Sequence, residues 1–340
     1  MQVILETSIS RYLILDQIGY GATCTVYKGY SLEDDSKKPV AIKLFNENGK
    51  KYFDKEILIN NILPPQYFIP IYNSGDGIIT KENTDPGINY SLQTIYSFDK
   101  YMGKVYYIIE KLLENGELFD YVYETKQGFS ERISAKIFYI ILKEVKILHD
   151  NRIAHCDIKP ENIIIGNDFS IKLIDFGFSE LLKKDDNFLY DYKGSDIYAS
   201  PEVKNRNMDG YDGIKNDIFS LAVLLFVLTV GRFPFERSCY LDRKYRLIMM
   251  KKYDDYWSYF EQYNLSDEFK QLMNHIFCYD PSERLTIDEI LEQPWIKIYT
   301  NDNELNNNNN IIRTENDFDE EIAEELRKRK EIIDAKKSLN

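Results

Sequence analysis

The sequence predicts an α+β chain in two parts, a strand-rich front and a helix-rich back, with a cleft where they join. Three observations carry this. Short β-branched and aromatic runs separated by glycines fill the stretch up to Leu112, apolar residues at helical spacing dominate after Glu117, and the composition turns polar and repetitive after Trp295. At 340 residues, 44% hydrophobic and 29% charged, the chain can bury one large core or two modest ones.

The elements follow in order. "YLILDQIG" and "CTVYKGY" read as strands joined by a glycine turn, "PVAIKLF" as a short buried strand, and "VYYIIEKLL" as another. Between the last two, "KKYFDKEILINNIL" has the period of a helix, whereas Tyr72–Lys100, rich in Gly, Asn and Asp, reads as a loop or hairpin insertion. "RISAKIFYIILKEVKILHD" is a long, largely buried helix, and "NDIFSLAVLLFVLTVG" is another that stops at a glycine. "SDEFKQLMNHIF" opens on a serine cap with acid in its first turn. The polar run "NDNELNNNNNIIRTEND" reads as a linker. "DFDEEIAEELRKRKEIIDAKK" then forms a charged helix whose thin stripe of Phe318, Ile322, Leu326 and Ile333 predicts a solvated or loosely docked element.

The bulk numbers exclude several classes. A formal net charge of -13 argues against nucleic-acid binding and favours basic partners. The four cysteines show no C-x-x-C pair, and with three histidines no zinc spacing can be assembled, so reduced thiols and a cytoplasmic location are expected. The N-terminal stretch lacks the layout of a signal peptide, and the longest apolar run, Leu221–Val230, is about half a membrane span. No membrane association is expected.

Several side chains can carry chemistry together. Gly19 and Gly21 in "IGYGATCTV" allow a backbone to approach a phosphate, although Cys24 stands where a third glycine would complete the pattern. Lys43 ends a buried strand, and Glu56 on the next helix can fix it as a point charge for phosphate oxygens. In "HCDIKPENIII", Asp157 can orient an incoming hydroxyl, Lys159 can stabilise a transferring phosphoryl group, and Asn162 offers a hard oxygen for magnesium. Asp175 in "KLIDFGFS" is a carboxylate placed to hold a metal bridging two phosphates.

In this order, "GYGATCTV", "VAIK", "HCDIKPEN", "DFG" and "SPE" closely resemble the eukaryotic protein kinase signature set, over Tyr12–Ile296. The resemblance implies a bilobal protein kinase fold, with a small β-rich N-lobe at 12–109, a hinge at 110–116 and a larger α-helical C-lobe at 117–296. Residues 297–340 form the polar linker and charged helix. It implies ATP and Mg2+ as cofactors. Asp157 and Lys159 become catalytic, and Asn162 and Asp175 hold the metal. The nucleotide contacts are Ile18, Gly19, Tyr20, Gly21, Ala22, Thr23, Cys24 and Val26 of the glycine-rich loop, with Ala41, Lys43 and Glu56. Glu110 and Leu112 of the hinge read adenine, behind a gatekeeper at Ile109. Asp217 matches a buried aspartate that anchors the catalytic loop, and Glu202 is expected to pair with Arg284.

"DIKPEN" and "GSDIYASPE" resemble serine/threonine kinases, and "GELFD", "GRFPF" and "EQPWI" look most like the calcium/calmodulin-dependent group. Ser195 is then the hydroxyl that contacts the catalytic loop. Glu117 and Glu161 are the acids that meet basic residues of a protein substrate. The charged C-terminal helix is where a regulatory protein is expected to bind; "DGYDGIKND" lacks the acid spacing of an EF-hand loop.

Cys156 replaces the arginine that, in many kinases, binds a phosphate on the activation segment. Between Ser179 and Ser195 that segment has no serine or threonine, so activity without activation-loop phosphorylation is expected. Cys24, in a loop taken as mobile and exposed, is a better candidate for oxidation than Cys156, but the leading reading of both is a small tolerated side chain in a loop. The competing class is a pseudokinase, a nucleotide-binding or scaffolding module; the presence of Lys43, Glu56, Asp157, Asn162 and Asp175 speaks against it.

Overall fold

Strands make up most of a first unit and helices most of a second, in a computed structural model that describes residues 2–82, 98–101, 103–204, 210–300 and 319–338. The first unit runs to Glu114 and takes in Asp175–Gly177; the second holds Asn115–Ile174 and the chain from Phe178 onward.

In the first unit, β1 (Gln2–Glu6), β2 (Arg11–Tyr20), β3 (Thr25–Ser31), β4 (Val40–Phe45), β5 (Ile71–Glu82) and β6 (Gly103–Lys111) close into an antiparallel barrel in the order β1-β2-β3-β4-β6-β5. Alternation along the strands sends Leu5, Ile14, Tyr27, Ile42, Leu44, Val105, Tyr107 and Ile109 into one apolar interior. The opposite face of β4 and β6 packs Phe45 and Ile108 with Cys24. Tyr52, Phe53 and Ile57 of helix α1 (Lys50–Ile62) cover that cluster.

Two strands join those named from the sequence. The region before Tyr12 contributes β1, which closes the barrel by pairing Leu5 with both Tyr12 and Ile79. The first part of the expected loop or hairpin insertion, as far as Glu82, is strand β5, and residues 83–97 lie outside the described residues. Glycine suits β5 because a Cβ on Gly77 would sit 2.8 Å from the Glu6 carbonyl oxygen, inside van der Waals contact with the closing strand.

In the second unit, α2 (Leu118–Tyr123) precedes the long helix α3 (Glu131–Asp150), whose cap Ser130 accepts from the Ile133 amide at 3.3 Å. Helix α4 (Gly213–Val230) starts on an Asp212 cap and ends on Gly231 at φ 73, a left-handed geometry that favours glycine. It is long and apolar enough to pass for a membrane span, yet 83% of it is buried inside the protein, so it is a core helix. Helix α5 (Asp267–Ile276) is capped by Ser266. Short ladders arrange the loops between helices: β7 (Ile153–Ala154) with β10 (Glu180–Leu181), β8 (Ile163–Ile165) with β9 (Ile171–Leu173), and β11 (Phe188–Leu189) with β12 (Tyr211–Asp212).

The C-terminal helix α6 (Glu320–Lys337) is firmly seated, contrary to the loose docking expected. Ile322, Ala323, Leu326 and Ile333 are buried, and so is Arg329. Its guanidinium donates to the carbonyls of Tyr121, Gln127 and Gly128 and to the Thr125 hydroxyl, over the Phe129 ring at 3.8 Å. Those acceptors lie at the end of α2 and in the loop beyond it, where carbonyls run out of helical amide donors and the Thr125 hydroxyl already serves Tyr121 and Gln127. Lys136 of α3 adds ion pairs to Asp319 at 3.1 Å and Glu321 at 2.7 Å. Phe318 lies outside the described residues.

Candidate active site

In the first unit the site is built on β4. Its register with β6 sets Ala41 opposite Glu110, Ile42 opposite Ile109, and Lys43 opposite Ile108. Partners across a ladder share a face, so Ala41, Lys43 and Glu110 lie on the outer face while Ile109 joins the barrel interior. Ile109, expected as the gatekeeper, thus points into the barrel interior, and Glu110 is its neighbour on the outer face. The strand runs two residues into the hinge expected at 110–116, so the backbone leaves the ladder only after Lys111 and Glu110 is a strand residue.

Lys43 Nζ lies 2.5 Å from Glu56 Oε1 on α1 and 3.3 Å from Glu110 Oε1. All three side chains are buried. Burial works against the charge on Lys43, but Glu110 and Glu56 outweigh it and hold the ammonium protonated well above its ordinary range. Burial pushes the Glu56 carboxyl up to about 7 even beside Lys43. Its Oε2 has no hydrogen-bond partner among the described residues.

Between β2 and β3 the glycine turn closes with Gly21 N–H donating to the Cys24 carbonyl at 3.0 Å and Gly19 opposite Val26. Ile18 and Tyr20 are exposed, whereas Thr23 and Cys24 turn inward and are buried. Burial, and then the Asp175 charge, push the Cys24 thiol up; it is a packed apolar group, and the exposed setting that would have favoured its oxidation is corrected. Asp175 adopts φ 63, and its Oδ1 accepts from the Gly177 amide at 3.1 Å. A Cβ on Gly177 would meet Thr23 Cγ2 at 2.9 Å, so glycine lets the two turns touch.

The second unit gathers its own polar cluster on Asp157, which is 4% exposed. Ser195 N–H donates to its Oδ1 at 2.8 Å. Lys159 Nζ lies 2.9 Å from Oδ2, and the Asn162 amide nitrogen donates to Oδ2 at 3.0 Å and to the Asp157 carbonyl at 2.8 Å. Lys159 also donates to the Ser195 hydroxyl at 2.7 Å. Burial alone raises the Asp157 carboxyl, but the Lys159 charge and the hydrogen bonds outweigh it and hold the group below the ordinary carboxylate range. The loop hangs from Asp217, fully buried, which accepts from the amides of His155 at 2.7 Å and Cys156 at 2.8 Å and meets His149 at 3.0 Å.

Cys156 is 2% exposed and packs with Ala154 and Leu182, flanked by Phe178, Leu189 and Ile214. A Cβ on Gly194, at φ 83, would sit 2.1 Å from the Cys156 carbonyl oxygen, so the segment before Ser195 lies directly on the catalytic loop. Lys193 forms an ion pair with Glu180 across this segment, and the Arg152 guanidinium donates to the carbonyls of Lys183 and Asp186. Neither arrangement was visible in the sequence.

Glu117 forms a bridge to Ile164, and its carboxyl is pushed up to about 7 by burial and by the charges of Asp120 and Glu161. Burial raises Glu161 as well, and Tyr198 donates to it at 3.5 Å. Arg284 is bound to Glu202 at 2.5 and 2.7 Å and donates to the Cys278 carbonyl at 2.9 Å. Among the described residues no three His, Cys, Asp or Glu side chains gather into a metal cluster. In the first unit Asp175 offers a carboxylate, and in the second Asn162 offers an amide oxygen, each a hard oxygen donor of the kind magnesium takes. The Asn162 nitrogen is committed to Asp157, leaving the carboxamide oxygen as its ligating atom.

Residues 12–296 match the protein kinase domain family. A probable serine/threonine-protein kinase of Dictyostelium discoideum is 32% identical over 288 residues, 85% of this chain and 31% of the relative. CBL-interacting protein kinase 10 of Oryza sativa subsp. japonica is 27% identical over 307 residues, 88% of this chain and 59% of the relative. CBL-interacting protein kinase 26 of the same plant is 32% identical over 291 residues, 85% of this chain and 52% of the relative. The chain thus spans between 31% and 59% of the length of these relatives.

Proposed function

The chain belongs to the protein kinase domain family, and from that premise we propose that it is an active serine/threonine kinase, transferring the γ-phosphoryl group of ATP to a protein hydroxyl. The observation that carries this reading is the convergence of Lys159, Asn162 and Ser195 on one ionised carboxylate, Asp157. With its pKa held low, Asp157 orients the acceptor hydroxyl by accepting its hydrogen bond. Lys159 holds positive charge beside the reacting oxygen, and Lys43 offers its ammonium to phosphate oxygens. Asn162 and Asp175 are the residues that would hold magnesium, which when bound with ATP neutralises phosphate charge. An intact set of charged groups, each with a partner, favours this reading over a scaffolding pseudokinase.

Two finer features belong to the same proposal. Activity needs no activation-loop phosphate, because Cys156 sits in an apolar cluster and the Lys193–Glu180 pair already ties down the segment. The substrate carries basic residues near the phosphoacceptor, because burial and then the charges of Asp120 and Glu161 raise the Glu117 carboxyl, and a substrate cation would relieve that repulsion. A regulatory protein at α6 would have to undo the buried Arg329 anchor, so we assign that helix to the fold. A cytoplasmic setting agrees with four cysteines that form no disulfide.

The test is incorporation of radiolabelled phosphate from ATP into a basic serine peptide by wild type and Asp157→Ala. Transfer by the wild type alone is expected. Equal counts from both proteins would contradict the assignment.

A further inference from the structure

Lys43 has two carboxylates within ion-pair reach, Glu56 Oε1 at 2.5 Å and Glu110 Oε1 at 3.3 Å. The second arises from strand register. Glu110 faces Ala41, one pair along from Lys43 and Ile108, so it is the diagonal neighbour of Lys43 on the outer face of the sheet. The three residues are 5%, 2% and 7% exposed, so water does little to screen them. Glu56 reaches Lys43 from α1, a separate element, whereas Glu110 is fixed by the ladder itself.

We infer that Glu110 is a positioning residue that shares with Glu56 the task of holding Lys43 for nucleotide phosphates. The proposal rests on the kinase reading and adds a residue to it. An ammonium has three N–H donors. Contact with two carboxylates on fixed elements restricts rotation about the terminal bond and leaves one donor for a phosphate oxygen. Removing one carboxylate leaves Lys43 tethered by the other, from β6 or from α1. Removing both leaves a buried ammonium with neither ion-pair carboxylate, only the more distant charge of Asp175, and a free rotor. The unpartnered Oε2 of Glu56 agrees with a site where carboxylate oxygens outnumber the donors offered to them.

The experiment is a double-mutant cycle with Glu56→Gln, Glu110→Gln and the double variant, reading ATP affinity, kcat and KM for ATP and for peptide, with melting temperature as a folding control. Each single variant is expected to lower kcat/KM for ATP while leaving KM for peptide unchanged. The double variant is expected to lose roughly tenfold more than the product of the single losses. Glu110→Asp, which keeps the charge, should recover part of the loss. Losses that merely multiply, or a silent Glu110→Gln in both backgrounds, overturn the shared hold while leaving the kinase reading intact. A wild type that neither binds ATP nor transfers phosphate overturns both.

Discussion

Lys193 and Glu180 form an ion pair that joins the end of the activation segment to β10, next to the loop that carries Asp157. Gly194 and Ser195 follow Lys193 directly, and Ser195 N–H is bonded to Asp157. The pair is thus a resident charge contact in a segment where Cys156 leaves no arginine for a phosphate. Glu180→Lys is expected to lower kcat by about tenfold to a hundredfold through displacement of Ser195. The swapped pair Glu180→Lys with Lys193→Glu should regain most of it. Steady-state kinetics on the two proteins check this, and a swap no better than the single variant would count against the latch.

Arg284 is fully enclosed, and its partners are Glu202 and the carbonyls of Cys278, Lys215 and Tyr279. Arg284→Ala strands the Glu202 carboxylate and several carbonyl oxygens. A loss of roughly 3–5 kcal/mol in unfolding free energy is expected. Denaturant melts of wild type and variant measure it.

Helix α6 depends on Arg329 in the same way. Removing the guanidinium leaves the carbonyls of Tyr121, Gln127 and Gly128 without that donor, so Arg329→Ala should cost about 3 kcal/mol. Hydrogen exchange should show faster opening of both α6 and the loop after α2. An autoinhibitory helix predicts a rise in kcat on the same change, whereas an integral one predicts reduced stability without activation.

Glu117 gives the activity a pH signature. Its carboxyl is raised from the ordinary 4.5 to about 7 by burial and neighbouring acids. In the free protein its stabilising contribution is therefore complete below about pH 4.5 and is lost as pH rises through 7. A basic residue in a substrate favours the ionised form, so binding should strengthen over the same interval. KM for a basic peptide is expected to fall by about threefold between pH 6 and 8, and Glu117→Gln should flatten the profile. Peptide kinetics across that range are the check.

How much of this could be read in advance divides along physical lines. Lys43, Glu56, Asp157, Asn162 and Asp175 were legible because each stands in a short motif whose residue types and spacing the chemistry dictates. The helices α3 and α4 were legible from apolar period and caps. Glu110 was not, since its facing depends on where β6 ends and on its register with β4, which is set by pairing between distant segments. Strand β1 was missed because its partners β2 and β5 only come together when the barrel closes. The seating of α6 was missed because its chief anchor is an arginine, and apolar periodicity does not register one. Burial of Cys24 follows from packing against Phe45 and Ile108, which no local pattern around the glycine turn announces.

The central claim is phosphotransfer by an enzyme that needs no phosphate on its activation segment. The most direct measurement takes protein treated with phosphatase and shown by intact mass to carry no phosphate. Its initial rate of phosphoryl transfer to a basic serine peptide is then recorded with ATP and magnesium, beside Asp157→Asn. The account predicts a full rate from the first reaction with no lag, and loss of transfer in the second. A phosphate-free wild type that stays inactive until Tyr190 or Tyr192 is phosphorylated would contradict it.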